Sequence, residues 1–289
     1  MRAMTTANPA ERALDALVNR LHERGRPRVW SLVITVFGDA IVPRDGRVAL
    51  ATLQDIMERL RIEPGALRTA MSRLAGDGWV TRERQGRNSF FSLDAHGRHA
   101  FDLATRRIYA GGAPEWRGTW TVAIAAPGGG RDAPDLSQHG FVRAAGGVYL
   151  RPETADAPDA TEELAGMLVI HGESAEHPEA LRELWPSREI AGAYEAFAAA
   201  YAPLQAAPGS LRPLDAMAAR TLLVHDWRRI VLRDPGLPEA LLPDDWPAVS
   251  ARATAAAIYR ALLAPSERWL DQAGLPAVRE PERFARRWR

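Results

Sequence analysis

The sequence predicts an α+β protein in which helices and strands occupy separate stretches of chain. Helical periodicity runs through residues 9–76, and two short alternating segments follow at residues 79–93. From His177 onward helical patterns dominate, broken by Pro-bearing loops. Between these regions the style changes: TWTVAIAA alternates, while GGVYL and ELAGMLVIHG read as further strands. Segregated rather than alternating elements point to α+β rather than a parallel α/β sheet.

Taken in order, Pro9 to Gly25 forms an amphipathic helix with Leu14, Leu17, Val18 and Leu21 on one stripe, stopped by Gly25, Arg26 and Pro27. A helix from Val29 to about Ile41 contains WSLVITVF, and the charged Asp39 closes it. PRDGR is a turn and Val48–Leu50 a short strand. The next helix starts near Thr52 and buries Leu53, Ile56, Met57 and Leu60. A third begins at Pro64, a favoured first-turn residue, with Leu67, Ala70, Met71 and Leu74 as its apolar face. Gly76 and Gly78 end it. The two strands turn at Gln85-Gly86-Arg87, with Phe91 and Leu93 inward and Asn88 and Ser92 outward. A last helix, Asp94 to Tyr109, leads to a joint at Gly111, Gly112 and Pro114. Beyond the joint, strand, helix (DLSQHGFVRAA) and two strands make the start of a ferredoxin-like split βαβ unit.

Composition excludes several classes. Hydrophobic residues make up 46% and charged ones 25%, which is ordinary for a globular chain. No apolar run approaches membrane-spanning length and no secretory signal is visible, so a cytoplasmic protein without membrane contact is expected. Cysteine is absent, which removes disulfides and thiolate chemistry. All 37 basic residues are arginine, so neither a P-loop lysine nor a Schiff-base lysine exists. Arginine's fork suits phosphates and guanine edges, although a GC-rich genome explains the bias more simply. The net charge of +1 rules out a uniformly basic coat.

The stretch RTAMSRLAGDGWVTRERQGRNSFFSL, residues 68–93, carries the sharpest signal. Removing the apolar face of its helix leaves Arg68, Thr69, Ser72 and Arg73 pointing outward, with no acid before Asp77. The hairpin adds Arg82, Arg84, Gln85, Arg87 and Asn88 against a single Glu83. Exposed helices and hairpins are often polar and basic. The order helix, strand, helix, helix, hairpin is more specific, and it is that of a winged helix-turn-helix. Arg68, Thr69, Ser72 and Arg73 are therefore expected to meet bases. Arg82, Arg84, Arg87 and Asn88 are expected to hold the backbone. The parts are residues 1–26, an N-terminal helical extension; 27–112, the winged helix-turn-helix; 113–176, the ferredoxin-like domain; and 177–289, a helical domain.

Other constellations are weaker. Gly128-Gly129-Gly130 lacks the spacing and lysine of a phosphate loop and reads as a flexible loop. Glu162 with Glu163 and Asp244 with Asp245 read as surface acids, and no metal ligand set or cofactor is expected. The run His225-Asp226-Trp227-Arg228-Arg229 is dense in functional groups. It also fits an amphipathic helix with Leu222, Leu223, Trp227, Ile230 and Val231 inward.

SLVITVFGDAI (residues 31–41) and ALRTAMSRLAGDGWVTRERQGRNSFFSLDAHGRHAF (residues 66–101) resemble the winged-helix domain of the PaaX-type repressors of phenylacetic acid catabolism. LVHDWRRIVLRDPGLPEALLPDDWP, residues 223–247, is similar to that family's C-terminal signature. The likeness spans Val29 to Leu263; the helix before Gly25 lies outside it. It implies a dimeric, non-enzymatic repressor of a catabolic operon, bound to double-stranded operator DNA and released by phenylacetyl-CoA or a related acyl-CoA. Such an effector needs arginines for its phosphates and an apolar slot for its ring, which makes His225, Trp227, Arg228 and Arg229 effector-binding candidates. The ferredoxin-like domain also resembles CRISPR-associated metal-dependent nucleases, the alternative reading. Those place an aspartate at the end of the first strand. Here that strand ends Ala125-Ala126-Pro127, without a carboxylate.

Overall fold

Local sequence sets the first helix. Asn8 and Glu11 form a reciprocal cap: Asn8 Oδ1 accepts from the Glu11 amide at 2.8 Å and Glu11 Oε2 from the Asn8 amide at 3.1 Å. Helix α1 (Pro9–Glu23) then buries Leu14, Leu17 and Val18. This computed structural model describes residues 8–23, 25–126, 136–155, 157–174, 184, 187–206 and 211–289. Gly128–Gly130 lie outside these residues.

Helix α2 (Val29–Val36) does not stop at its charged residue. It widens into a π-helical turn, Phe37–Ile41, and tightens into a 3-10 turn, Val42–Arg44. Asp39 lies in the π-turn and is only 2% exposed, so the expectation that it closes the helix is corrected: it is an interior residue. Strand β1 (Arg47–Ala49), helix α3 (Leu50–Arg59) and helix α4 (Pro64–Gly76) follow, then β2 (Val80–Gln85), β3 (Asn88–Leu93) and α5 (Ala95–Ile108). The three strands form an antiparallel sheet in the order β1-β3-β2. Its inner face carries Val80, Phe91 and Leu93.

A second sheet is built from β4 (Trp116–Ile124), β5 (Val142–Ala145), β6 (Val148–Thr154) and β7 (Leu168–Glu173). Its order is β5-β6-β4-β7, and every neighbouring pair is antiparallel. One face packs Ala123, Tyr149, Phe141, Leu136 and Ala160 together; Trp120 packs with Leu237 and Leu241. The helix expected over DLSQHGFVRAA is corrected. Among the described residues of that run only Leu136–His139 coils, as a 3-10 turn, and Val142–Ala145 form β5. Gly140, at φ +80°, ends the turn, and Val142 then pairs with Leu150 of β6.

The remaining helices are α6 (Ser187–Ala206), α7 (Pro213–Val231), α8 (Ala248–Gln272) and the short α9 (Pro281–Ala285). None of the described helices is long and apolar enough to cross a membrane. The chain divides into two compact units. One holds residues 1–111, 195–229 and 250–289; the other holds 112–194 and 230–249. The units cross the sequence-based segments, because most of α7 and α8 pack in the unit that contains α2 to α5. The physical reason is a buried polar cluster between them, described below.

Candidate nucleic-acid interface

Helix α4 forms because Pro64 fits the first turn, where no amide partner is needed, after an extended Glu63 at φ −62°, ψ 140°. Leu67, Ala70, Met71 and Leu74 are buried, so the opposite face is forced outward. Arg68, Thr69, Ser72 and Arg73 are all exposed on it. The Thr69 hydroxyl donates to the Gly65 carbonyl at 3.1 Å, which leaves its lone pairs to accept. Arg73 Nε lies 3.4 Å from Asp77 Oδ2, with both side chains more than half exposed. Such a pair is weak, and a phosphate or guanine edge can replace it.

The hairpin follows from one turn. Gly86 takes φ +59°, the sign a type II′ turn needs at its first central residue. The register pairs Val80 with Leu93, Arg82 with Phe91 and Arg84 with Ser89. Alternation therefore puts Arg82 and Arg84 on the same face as buried Val80, farther out along the strand. Arg82 donates to Ser89 Oγ at 2.8 Å and Arg84 to the Gly86 carbonyl at 3.2 Å. Arg87 and Asn88 are exposed at the tip. Glu83 faces the other way. It accepts from Gln85 at 2.8 Å and from Arg47 at 3.3 Å, and the Arg47 guanidinium lies 3.8 Å from the Phe90 ring centroid. The hairpin's one acid is thus turned away from Arg82 and Arg84.

The effector candidates on α7 do not share one surface. His225 and Trp227 are buried, and Arg229 is exposed. The Trp227 indole N–H donates to the Ile108 carbonyl at 2.8 Å. Arg228 donates to Thr35 Oγ1 at 2.8 Å and to the Ser31 carbonyl at 3.0 Å. Thr35 spends its own proton on the Ser31 carbonyl at 2.9 Å, so His225 Nδ1, 3.3 Å away, must donate to it. Burial, with the Arg229 charge adding to it, lowers the Arg228 pKa to about 10. Three of the four candidates therefore help to join α7 to α2 or α5.

Sequence reasoning missed the cluster around Asp39. Arg220, fully buried, donates to Asp39 Oδ2 at 2.6 Å. Tyr109 and Tyr259 donate to Oδ1 at 2.6 and 2.8 Å, and Arg287 adds bonds of 3.0 Å to Oδ1 and 2.9 Å to the Asp39 carbonyl. Arg220 also reaches Ser266 at 3.0 Å and Glu267, which in turn binds Arg44 at 2.7 Å. Burial pushes the Asp39 carboxyl up; the Arg220 and Arg287 charges and the Tyr109 hydroxyl outweigh it, and the net shift is down. The only sequence hint was an acid inside the apolar run SLVITVFGDAI.

Residues 28–97 match the family of the PaaX-like protein, and residues 185–272 match the PaaX-like protein C-terminal domain. The transcriptional repressor PaaX of Escherichia coli (strain K12) is 30% identical over 272 residues, which are 86% of this chain and 85% of that protein. The chain belongs to the PaaX family. An uncharacterized protein from Mycobacterium tuberculosis shares the fold, with a TM-score of 0.53 at 22% identity over 78% of this chain and 91% of that one.

Proposed function

We propose that this protein is a non-enzymatic transcriptional repressor that binds double-stranded operator DNA as a homodimer in the cytoplasm. An acyl-CoA, phenylacetyl-CoA or a close relative, releases it. The family relationship and the repressor it matches support the regulatory class. The observation that carries DNA binding is the exposed surface of arginine and hydroxyl groups on α4, followed by the arginine face of the hairpin. In this reading α2 to α4 with β2 and β3 are a winged helix-turn-helix. Helix α4 enters the major groove through Arg68, Thr69, Ser72 and Arg73, and Arg82, Arg84, Arg87 and Asn88 hold the backbone. A single such module has a small interface, so two copies on a pseudo-palindromic site supply the affinity.

The order β5-β6-β4-β7 supports a ferredoxin-like reading of the second sheet. Effector release requires better binding to a dimer whose recognition helices are misplaced, because equal binding to both states shifts nothing. Exposed Arg229 is the α7 residue suited to a coenzyme phosphate; His225, Trp227 and Arg228 shape the region beneath it.

Fluorescence anisotropy with DNA from upstream of the protein's own gene tests this. Binding should weaken steeply with salt and be lost when phenylacetyl-CoA is added. Equal affinity for unrelated DNA, with no response to any acyl-CoA, would overturn it.

A further inference from the structure

Trp288 is held at a cost. Its backbone sits at φ +67°, a left-handed conformation that few side-chain-bearing residues adopt. Its indole N–H is buried with no acceptor in reach among the described residues, although the residue is only 4% exposed. What holds it is an aromatic box. The Trp288 ring meets Tyr109 edge-on at 5.6 Å, Trp227 at 5.4 Å and Tyr259 at 5.8 Å, and its amide donates to the Tyr109 carbonyl at 3.0 Å.

The walls do not depend on the plug. Trp227 gives its N–H to Ile108, and both tyrosine hydroxyls give theirs to Asp39. With their polar ends tied elsewhere, the three rings offer the occupant apolar surface and no acceptor for an N–H or O–H. An unsubstituted phenyl ring would lose no hydrogen bond on entering, whereas indole or phenol does.

We propose that the Tyr109–Trp227–Tyr259 box is a binding site for an unsubstituted aryl group, and that Trp288 is its exchangeable internal occupant. Naming the ligand as an aryl-acyl-CoA rests on the function proposed above; the site itself does not. Exchange has a direct consequence. Arg287, next in the chain, binds Asp39, and Asp39 lies in the π-turn that extends α2. Helix α2 packs on α4. Swinging Trp288 out withdraws one of the cations of Asp39 and loosens the support of the DNA-reading helix.

The full chain, treated with trypsin in the presence of toluene, phenylacetyl-CoA or acetyl-CoA, provides the test, with cleavage after Arg287 followed by mass spectrometry. Toluene and phenylacetyl-CoA should speed this cleavage at least about fivefold, in proportion to the open population, and acetyl-CoA should not. Trp288→Gly relaxes the backbone and empties the box, so toluene should raise its Tm and leave that of the parent protein nearly unchanged. This variant should also bind phenylacetyl-CoA about tenfold more tightly, because the internal competitor is gone. Faster cleavage with toluene but no response to phenylacetyl-CoA keeps the aryl site and removes the acyl-CoA effector. Release of DNA by phenylacetyl-CoA with cleavage after Arg287 unchanged keeps the effector and overturns this site. If Trp288→Gly does not fold, the cleavage rates of the parent protein decide.

Discussion

Arg220 and Asp39 meet at 2.6 Å across 181 residues of sequence, with both side chains out of water. The pair joins the π-turn of α2 to α7, and through Tyr259, Glu267 and Arg287 it also engages α8 and the segment after α9. Breaking one half of such a pair strands a buried charge, which is worse than removing both.

Arg220→Met should therefore cost about 3–5 kcal/mol of unfolding free energy in urea. Asp39→Asn with Arg220→Met should cost less than the sum of the single changes. A loss below about 1 kcal/mol for Arg220→Met would show that the cluster contributes only what a surface pair does.

The same pair sets an acid limit. The Asp39 carboxyl is held below its usual value of 3.8 in the folded chain. The unfolded state therefore takes up its proton first as pH falls. The stabilisation is fully present above that usual value and is lost as pH drops through the lower folded value. Acid titration followed by circular dichroism should show this loss, and Asp39→Asn should flatten it. An equally steep acid transition in the variant would assign the effect to other carboxylates.

At the hairpin, Arg84→Ala and Arg87→Ala should each weaken binding to all DNA sequences alike. Each should also lower the slope of log K against log salt by about one unit, as expected for a lost phosphate contact. An unchanged slope would remove that arginine from the interface.

Arg68→Ala on α4 should act differently. If its guanidinium reads a base edge, the loss falls on the preferred site, about 1–3 kcal/mol, and spares unrelated DNA. Uniform weakening would make Arg68 a backbone contact.

Gly97 packs the start of α5 against the end of the loop before β2. A methyl group there would lie 2.7 Å from the Trp79 carbonyl oxygen, so the backbone of one segment or the other must shift. Gly97→Ala should destabilise the unit by about 1–3 kcal/mol, the usual range for overpacking. Thermal unfolding checks this, and an unchanged Tm would mean that α5 can shift without loss.

The α4 face and the hairpin were legible in the sequence because both depend on local rules. Period 3.6 over Leu67, Ala70, Met71 and Leu74 forced Arg68, Thr69, Ser72 and Arg73 outward. Period 2 over Phe91 and Leu93 set the inward face of the strands, and Gly86 placed the turn. Where the periods competed over a few residues, as in DLSQHGFVRAA, pattern alone could not separate a 3-10 turn and a strand from a helix. The run around Trp227 was legible as a helix with an inward face, but which neighbours its side chains would meet was not.

By itself the sequence determined the types of the longer elements, though not that of DLSQHGFVRAA, together with the exposed arginine surface of α4 and the hairpin and the absence of lysine and cysteine chemistry. These follow from near-neighbour spacing and composition. Only the tertiary structure decided that Asp39 is interior, that Arg220, Tyr109, Tyr259 and Arg287 converge on it, and that Trp288 fills an aromatic box. Arg287 lies 248 residues from Asp39, and no periodicity spans such a separation. A buried charge finds its partners only when packing excludes water and leaves them as the one way to satisfy it.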